Sequence, residues 1–164
     1  MKNRVAYFGV FVALALIFSY VETMIPFQIG IPGVKVGLAN LIVVIALYET
    51  DVKEALLLSV TRVVLSGFIF GNLASILYSL AGGLLSLAVM ALLKKYMDLS
   101  IIGVSVAGGV FHNIGQLVVA AIVVETYSVT GYLPVLLVAG LITGFVIGTV
   151  ATEMIRRLRN VDLR

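Results

Sequence analysis

EALLLSVTRVVLSGFIFGNLASILYSLAGGLLSLAVMALLKK, Glu54 to Lys95, holds two apolar runs separated by Gly71-Asn72 and closed by a pair of lysines. Each run is about the length of a membrane-crossing helix, which takes roughly 20 residues at about 1.5 Å per residue. Gly-Asn is a turn signal, so the segment reads as a helical hairpin: one span over about Glu54–Phe70 and the next over about Leu73–Leu93. Both ends of the hairpin carry charge, with Glu49, Asp51, Lys53 and Glu54 before it and Lys94-Lys95 after it. A hairpin that keeps its charges at one end and its apolar bodies between belongs in a bilayer.

The rest of the chain follows the same pattern. A first span covers about Val5–Met24, and Pro26, Gly30, Pro32 and Gly33 break the chain after it. A short second span covers about Val36–Tyr48. A fifth covers about Ser100–Val124, a polar turn occupies Glu125–Tyr132, and a sixth runs over about Leu133–Ile155. Of the 164 residues, 62% are hydrophobic and 12% charged, and the mean hydropathy is +1.19. A soluble domain carries about 25% charged residues to coat its surface. The chain is therefore expected to be a single polytopic, all-α integral membrane domain over residues 1–164, with about six transmembrane helices.

Charge placement orients it. With the N-terminus inside, Lys2, Arg4, Lys53, Lys94, Lys95, Arg156, Arg157, Arg159 and Arg164 fall on the cytoplasmic side and only Lys35 falls outside. This positive-inside bias puts both termini in the cytoplasm. Tyr7, Tyr20, Tyr48, Tyr96, Tyr127 and Tyr132 lie near span ends, where amphipathic rings settle. Lys2 and Arg4 before an apolar run resemble a signal sequence, but the run continues to about Ile25, so it reads as an uncleaved first span. The net charge of +3 lies at segment ends and not on one face, which argues against nucleic acid as a partner. With no cysteine, disulfides, thiol redox chemistry and Cys-ligated metals are excluded.

Lipid offers helices no hydrophobic drive to associate, so small residues that let backbones meet mark the contacts. Gly140, Gly144 and Gly148 share one face of the sixth span, and S-x-A-G-G occurs at Ser79–Gly83 and again at Ser105–Gly109. These read as packing surfaces within the chain. Gly9, Ala13 and the offset pair Ala15 and Ser19 give the first span a small-residue face, suited either to packing or to docking a membrane partner.

Ionisable side chains inside spans are costly and are candidates for function. Arg62 lies about eight residues into the third span, roughly 12 Å from its start. It needs an acidic partner such as Glu22, carbonyls, water or an anionic ligand, and the structural and ligand-binding readings both stay open. His112, Asn113 and Gln116 form a polar cluster on the fifth span, with His112 and Gln116 four apart on one face. One histidine without cysteine or clustered carboxylates offers too few ligands for a metal. Glu22, Lys35, Asn40, Asn72 and Tyr78 fall towards the outer half. Two cations on an outward-open path, Lys35 and Arg62, favour an anionic small-molecule ligand. No Walker A loop, H-E-x-x-H, G-x-S-x-G or aspartate-rich diphosphate motif is present, so neither a cofactor nor a catalytic residue is assigned.

GVKVGLANLIVVIALY (Gly33–Tyr48), RVVLSGFIFGN (Arg62–Asn72), SLAGGLLSLAVMALLKK (Ser79–Lys95) and SIIGVSVAGGVFHNIGQLVVAA (Ser100–Ala121) resemble the bacterial heptaprenyl diphosphate synthase component I proteins, also called the Gx transporter family. That family is similar to the substrate-binding S components of energy-coupling factor transporters. The resemblance implies a bundle of that type in a bacterial cytoplasmic membrane, and a substrate-binding transport role. Its partner would be an energy-coupling module of one transmembrane coupling protein and two ATPases. The synthase name implies instead a non-catalytic accessory role in isoprenoid or quinone synthesis, with a flavin-linked redox system as a further alternative. The topology is checked by cysteine accessibility: residue 35 and the turn near 128 should label from outside and residue 94 from inside.

Overall fold

The computed structural model describes residues 2–24, 37–124 and 131–162, and the regular structure among them is helical. Six α-helices follow in order: α1 (Lys2–Met24), α2 (Leu38–Glu49), α3 (Val52–Phe70), α4 (Leu73–Tyr96), α5 (Ile101–Val124) and α6 (Leu133–Asp162). Their limits match the sequence expectation to within a few residues except at the end of α6. There the helix runs on past Ile155, supported by ion pairs from Glu153 to Arg156 (2.6 Å) and Arg157 (2.7 Å) one turn on.

The starts of the helices have local causes. Asp51 accepts from the Glu54 amide at 2.8 Å and opens α3. Asn72 and Ser75 form a reciprocal capping box at the start of α4, with bonds of 2.8 and 3.0 Å. Gly37 precedes α2 in the left-handed region, φ 74°, a conformation a side chain would strain.

Four helices are long and apolar enough to cross a membrane: α1, α4, α5 and α6. The other two differ from the expected spans for distinct reasons. At 12 residues, α2 rises only about 18 Å. The 19 residues of α3 include Lys53, Glu54 and Arg62.

The short helix is also the innermost. Every residue from Leu41 to Leu47 is buried, with exposures of 5% or less. A helix apolar all round needs neighbours on all sides. The same core takes in Ala15 from α1, Ala55 and Leu58 from α3, Leu87 and Met90 from α4, Val104 from α5, and Ile147, Ala151 and Ile155 from α6. In lipid this burial stabilises chiefly through close packing, since the tails outside are as apolar as the core.

α4, α5 and α6 meet at their backbones. A Cβ built at Gly109 would lie 2.5 Å from the Gly140 carbonyl oxygen, and one at Gly144 or Gly148 would lie 2.7 Å from the Cα of Val106 or Ile102. The Ser105 hydroxyl donates to the Gly144 carbonyl at 2.8 Å across the same seam. Gly82 on α4 and Gly115 on α5 abut one another's helices as closely. On α1 the small residues divide. Ala15 and Ser19 turn inward and are buried, whereas Gly9 and Ala13 are exposed, with nothing within 4 Å of a Cβ built at Gly9. Gly144→Leu should therefore lower the stability of the detergent-purified protein by about 1–3 kcal/mol or more. Gly9→Leu should leave its thermal midpoint within a degree or two.

Candidate functional site

Along α3 the buried positions Ala55, Leu58, Ser59, Arg62, Val63 and Gly67 recur every three or four residues. They form one inward stripe, and Arg62 is part of it. The side chain is 8% exposed. One terminal nitrogen donates to the Asn40 side-chain oxygen at 3.0 Å. The Nε is buried and has no hydrogen-bond partner among the described residues.

Arg62 lines a cavity of about 140 Å³ shared by five helices. Ser19, Glu22 and Thr23 come from the end of α1, and Gly37 and Asn40 from the beginning of α2. α3 contributes Arg62 to Phe70 along its second half, α4 contributes Ser75 and Ser79, and α5 contributes His112 and Gln116. These are the ends that the charge distribution assigns to the outer half.

Glu22 does not pair directly with Arg62. Its carboxylate accepts from the Gly37 amide at the start of α2. That amide is one of the unsatisfied donors of the helix N-terminus, where a negative charge is favoured. Gly37 and Asn40 belong to one turn, closed by the Asn40 amide donating to the Gly37 carbonyl at 2.8 Å. The first turn of α2 thus holds the carboxylate through its backbone and the guanidinium through a side chain. It keeps two opposite charges apart on one cavity.

Of the residues singled out in the sequence, Arg62, Glu22, Asn40, His112 and Gln116 come together here. Asn113 lies elsewhere: its amide donates to the Leu136 carbonyl at 2.7 Å, tying α5 to α6, and it lines a second cavity of about 40 Å³. Asn40 and His112 border both cavities. Asn72 is exposed and serves as the α4 cap. Tyr78 is half-buried and does not line the cavity. Lys35 lies outside the described residues.

The hydroxyls of Thr23, Ser66, Ser75 and Ser79 on the cavity wall escaped the sequence reading, as did the role of Ser19. The Ser19 hydroxyl is buried without a partner among the described residues. A signal existed: Ser75, Ser79 and Ser86 share a face of α4, and Ser59, Arg62 and Ser66 share one on α3. The two glycine-containing strings drew attention to packing instead. Among the described residues no three His, Cys, Asp or Glu side chains cluster as metal ligands do. The cavity wall carries one guanidinium, one carboxylate, amides, an imidazole and hydroxyls.

The family model for heptaprenyl diphosphate synthase component I matches residues 11–154, from the middle of α1 to the last turns of α6. No curated protein and no solved structure matches the chain. The family match takes in every described residue of the Arg62 cavity, and on that extent the chain belongs to the heptaprenyl diphosphate synthase component I family.

Proposed function

We propose that this protein is a non-catalytic, substrate-binding membrane component of a transport system, with the Arg62 cavity as its ligand site. The observation that carries the reading is the buried guanidinium whose Nε has no acceptor among the described residues, facing a small cavity with polar groups on its wall inside an apolar bundle. A charge at such depth costs about 2.5–3.5 kcal/mol on insertion scales unless it is neutralised. Glu22 acts on this charge from a distance without an ion pair, and a bound ligand with an anionic group offsets the cost that is left. In this reading all six helices cross the cytoplasmic membrane of a bacterium, counting α2 and α3, and both termini lie in the cytoplasm.

Energy would come from outside the chain, through a transmembrane coupling protein and two ATPases. The exposed Gly9 and Ala13 on α1 supply a lipid-facing surface on which another helix can approach closely. The family's description as a synthase component favours a second reading, in which the chain supports a prenyl synthase. A cavity of about 140 Å³ is far too small for a chain of seven isoprene units, so that role would be one of docking and not of holding the product.

Co-purification separates the two: ATPase subunits support transport, and a soluble prenyl synthase supports the accessory role. The site itself is tested with Arg62→Gln. Native mass spectrometry of the purified protein first identifies the small molecule it retains. The variant should then bind that molecule at least tenfold more weakly while staying folded, since a neutral amide is easier to bury than an unpaired cation. Unchanged affinity with a lowered thermal midpoint would make Arg62 a structural residue and remove it from the site.

A further inference from the structure

We propose, resting on the reading above, that the cavity selects a small zwitterion of amino-acid type, its anionic group on Arg62 and its ammonium on Glu22. Both charges face one cavity and no ion pair joins them, although apposition would neutralise each. Held apart in a low-dielectric interior, each keeps part of its desolvation cost. The first turn of α2 enforces the separation, with the Gly37 amide on the carboxylate and the Asn40 oxygen on the guanidinium.

The unused bonding capacity on the two sides is complementary. Arg62 has five N–H donors in a planar fork suited to carboxylates, and its buried Nε is not engaged by any described residue. The Gly37 amide engages one Glu22 oxygen, and a carboxylate accepts several bonds, so Glu22 retains capacity for an ammonium. A bare anion would satisfy Arg62 and set its own charge against Glu22. A bare amine would satisfy Glu22 and leave the guanidinium uncompensated. A zwitterion completes both sites and leaves the net charge of the bundle interior unchanged. The buried Ser19 hydroxyl, also without a described partner, adds a hydrogen-bonding group on the α1 side. A volume of about 140 Å³ suits a small molecule.

The test is thermal unfolding of the detergent-purified protein against the common amino acids, each beside its deaminated acid and its decarboxylated amine at equal concentration. Inorganic phosphate serves as a non-carboxylate anion. A ligand that binds only the folded state raises the midpoint with concentration, which gives its apparent Kd. At least one amino acid should stabilise the protein, with both of its truncated analogues at least tenfold weaker. Glu22→Gln should abolish the preference for that amino acid over its deaminated acid. Arg62→Gln should abolish the preference over its amine.

A deaminated acid or phosphate that stabilises the wild type as well as the best amino acid overturns the zwitterion assignment and leaves a substrate-binding role standing. If no amino acid, acid, amine or phosphate shifts the midpoint, the zwitterion assignment falls. Loss of the natively retained molecule from Arg62→Gln would then show whether the broader reading survives. The wild-type comparison needs no variant, so the proposal stays decidable even if loss of Glu22 from the α2 terminus prevents folding.

Discussion

A helix of 12 residues enclosed in an apolar bundle must have its end groups satisfied by its neighbours, and much of this structure answers that requirement. At the N-terminal end of α2 the Glu22 carboxylate of α1 accepts from Gly37. At the C-terminal end the Lys94 ammonium of α4 reaches the Leu47 carbonyl at 2.5 Å and lies 4.8 Å from the centre of the Tyr48 ring. Negative charge at the start and positive charge at the end both match the helix macrodipole. Arg159 on α6 meets Glu49, the last residue of α2, at 3.1 Å. Three helices from distant parts of the sequence are thereby fastened to the terminal turns of one short segment. The cavity follows from the same arrangement, because it is the space around the first turn of α2 that α1, α3, α4 and α5 wall in.

Much of the fold was legible because lipid makes strict demands on a sequence. Apolar runs must be long, and charges, Pro and Gly must gather between them, so helix limits could be read from Pro26, Gly71-Asn72 and Lys94-Lys95. Length alone marked α2 as short. That it lies at the centre depends on side chains from five other helices, which no local pattern encodes. Arg62, Glu22, Asn40, His112 and Gln116 stood out because ionisable and amide groups are rare in such runs. Asn72 and Asn113 carry the same amide chemistry yet serve as a helix cap and an interhelical tie. Residue type signals a hydrogen bond without saying who receives it.

The hydroxyls were harder to read for a different reason. Thr143, Thr149 and Thr152 each donate to the carbonyl four residues earlier in their own helix, as hydroxyls in apolar helices commonly do. A serine in a span is therefore weak evidence of a site. Only the assembled bundle shows that Ser79 borders the cavity, and that Ser66 does so while its hydroxyl donates to the Val63 carbonyl of its own helix at 3.3 Å.

Backbone contact along α4, α5 and α6 makes the two sides of the bundle unequal in what they can tolerate. At Gly82, Gly109, Gly115, Gly140, Gly144 and Gly148 an added methyl group would meet another helix's atoms at under 3 Å, so that side is closed to change in bulk. Ser19 and Thr23 on α1 and Ser66 on α3 line the cavity, so a change of side-chain size there alters its volume. A change in the size of the cavity would thus be recorded on α1 and α3. The glycine seam would pass through such a change almost unaltered, an archive of the fold.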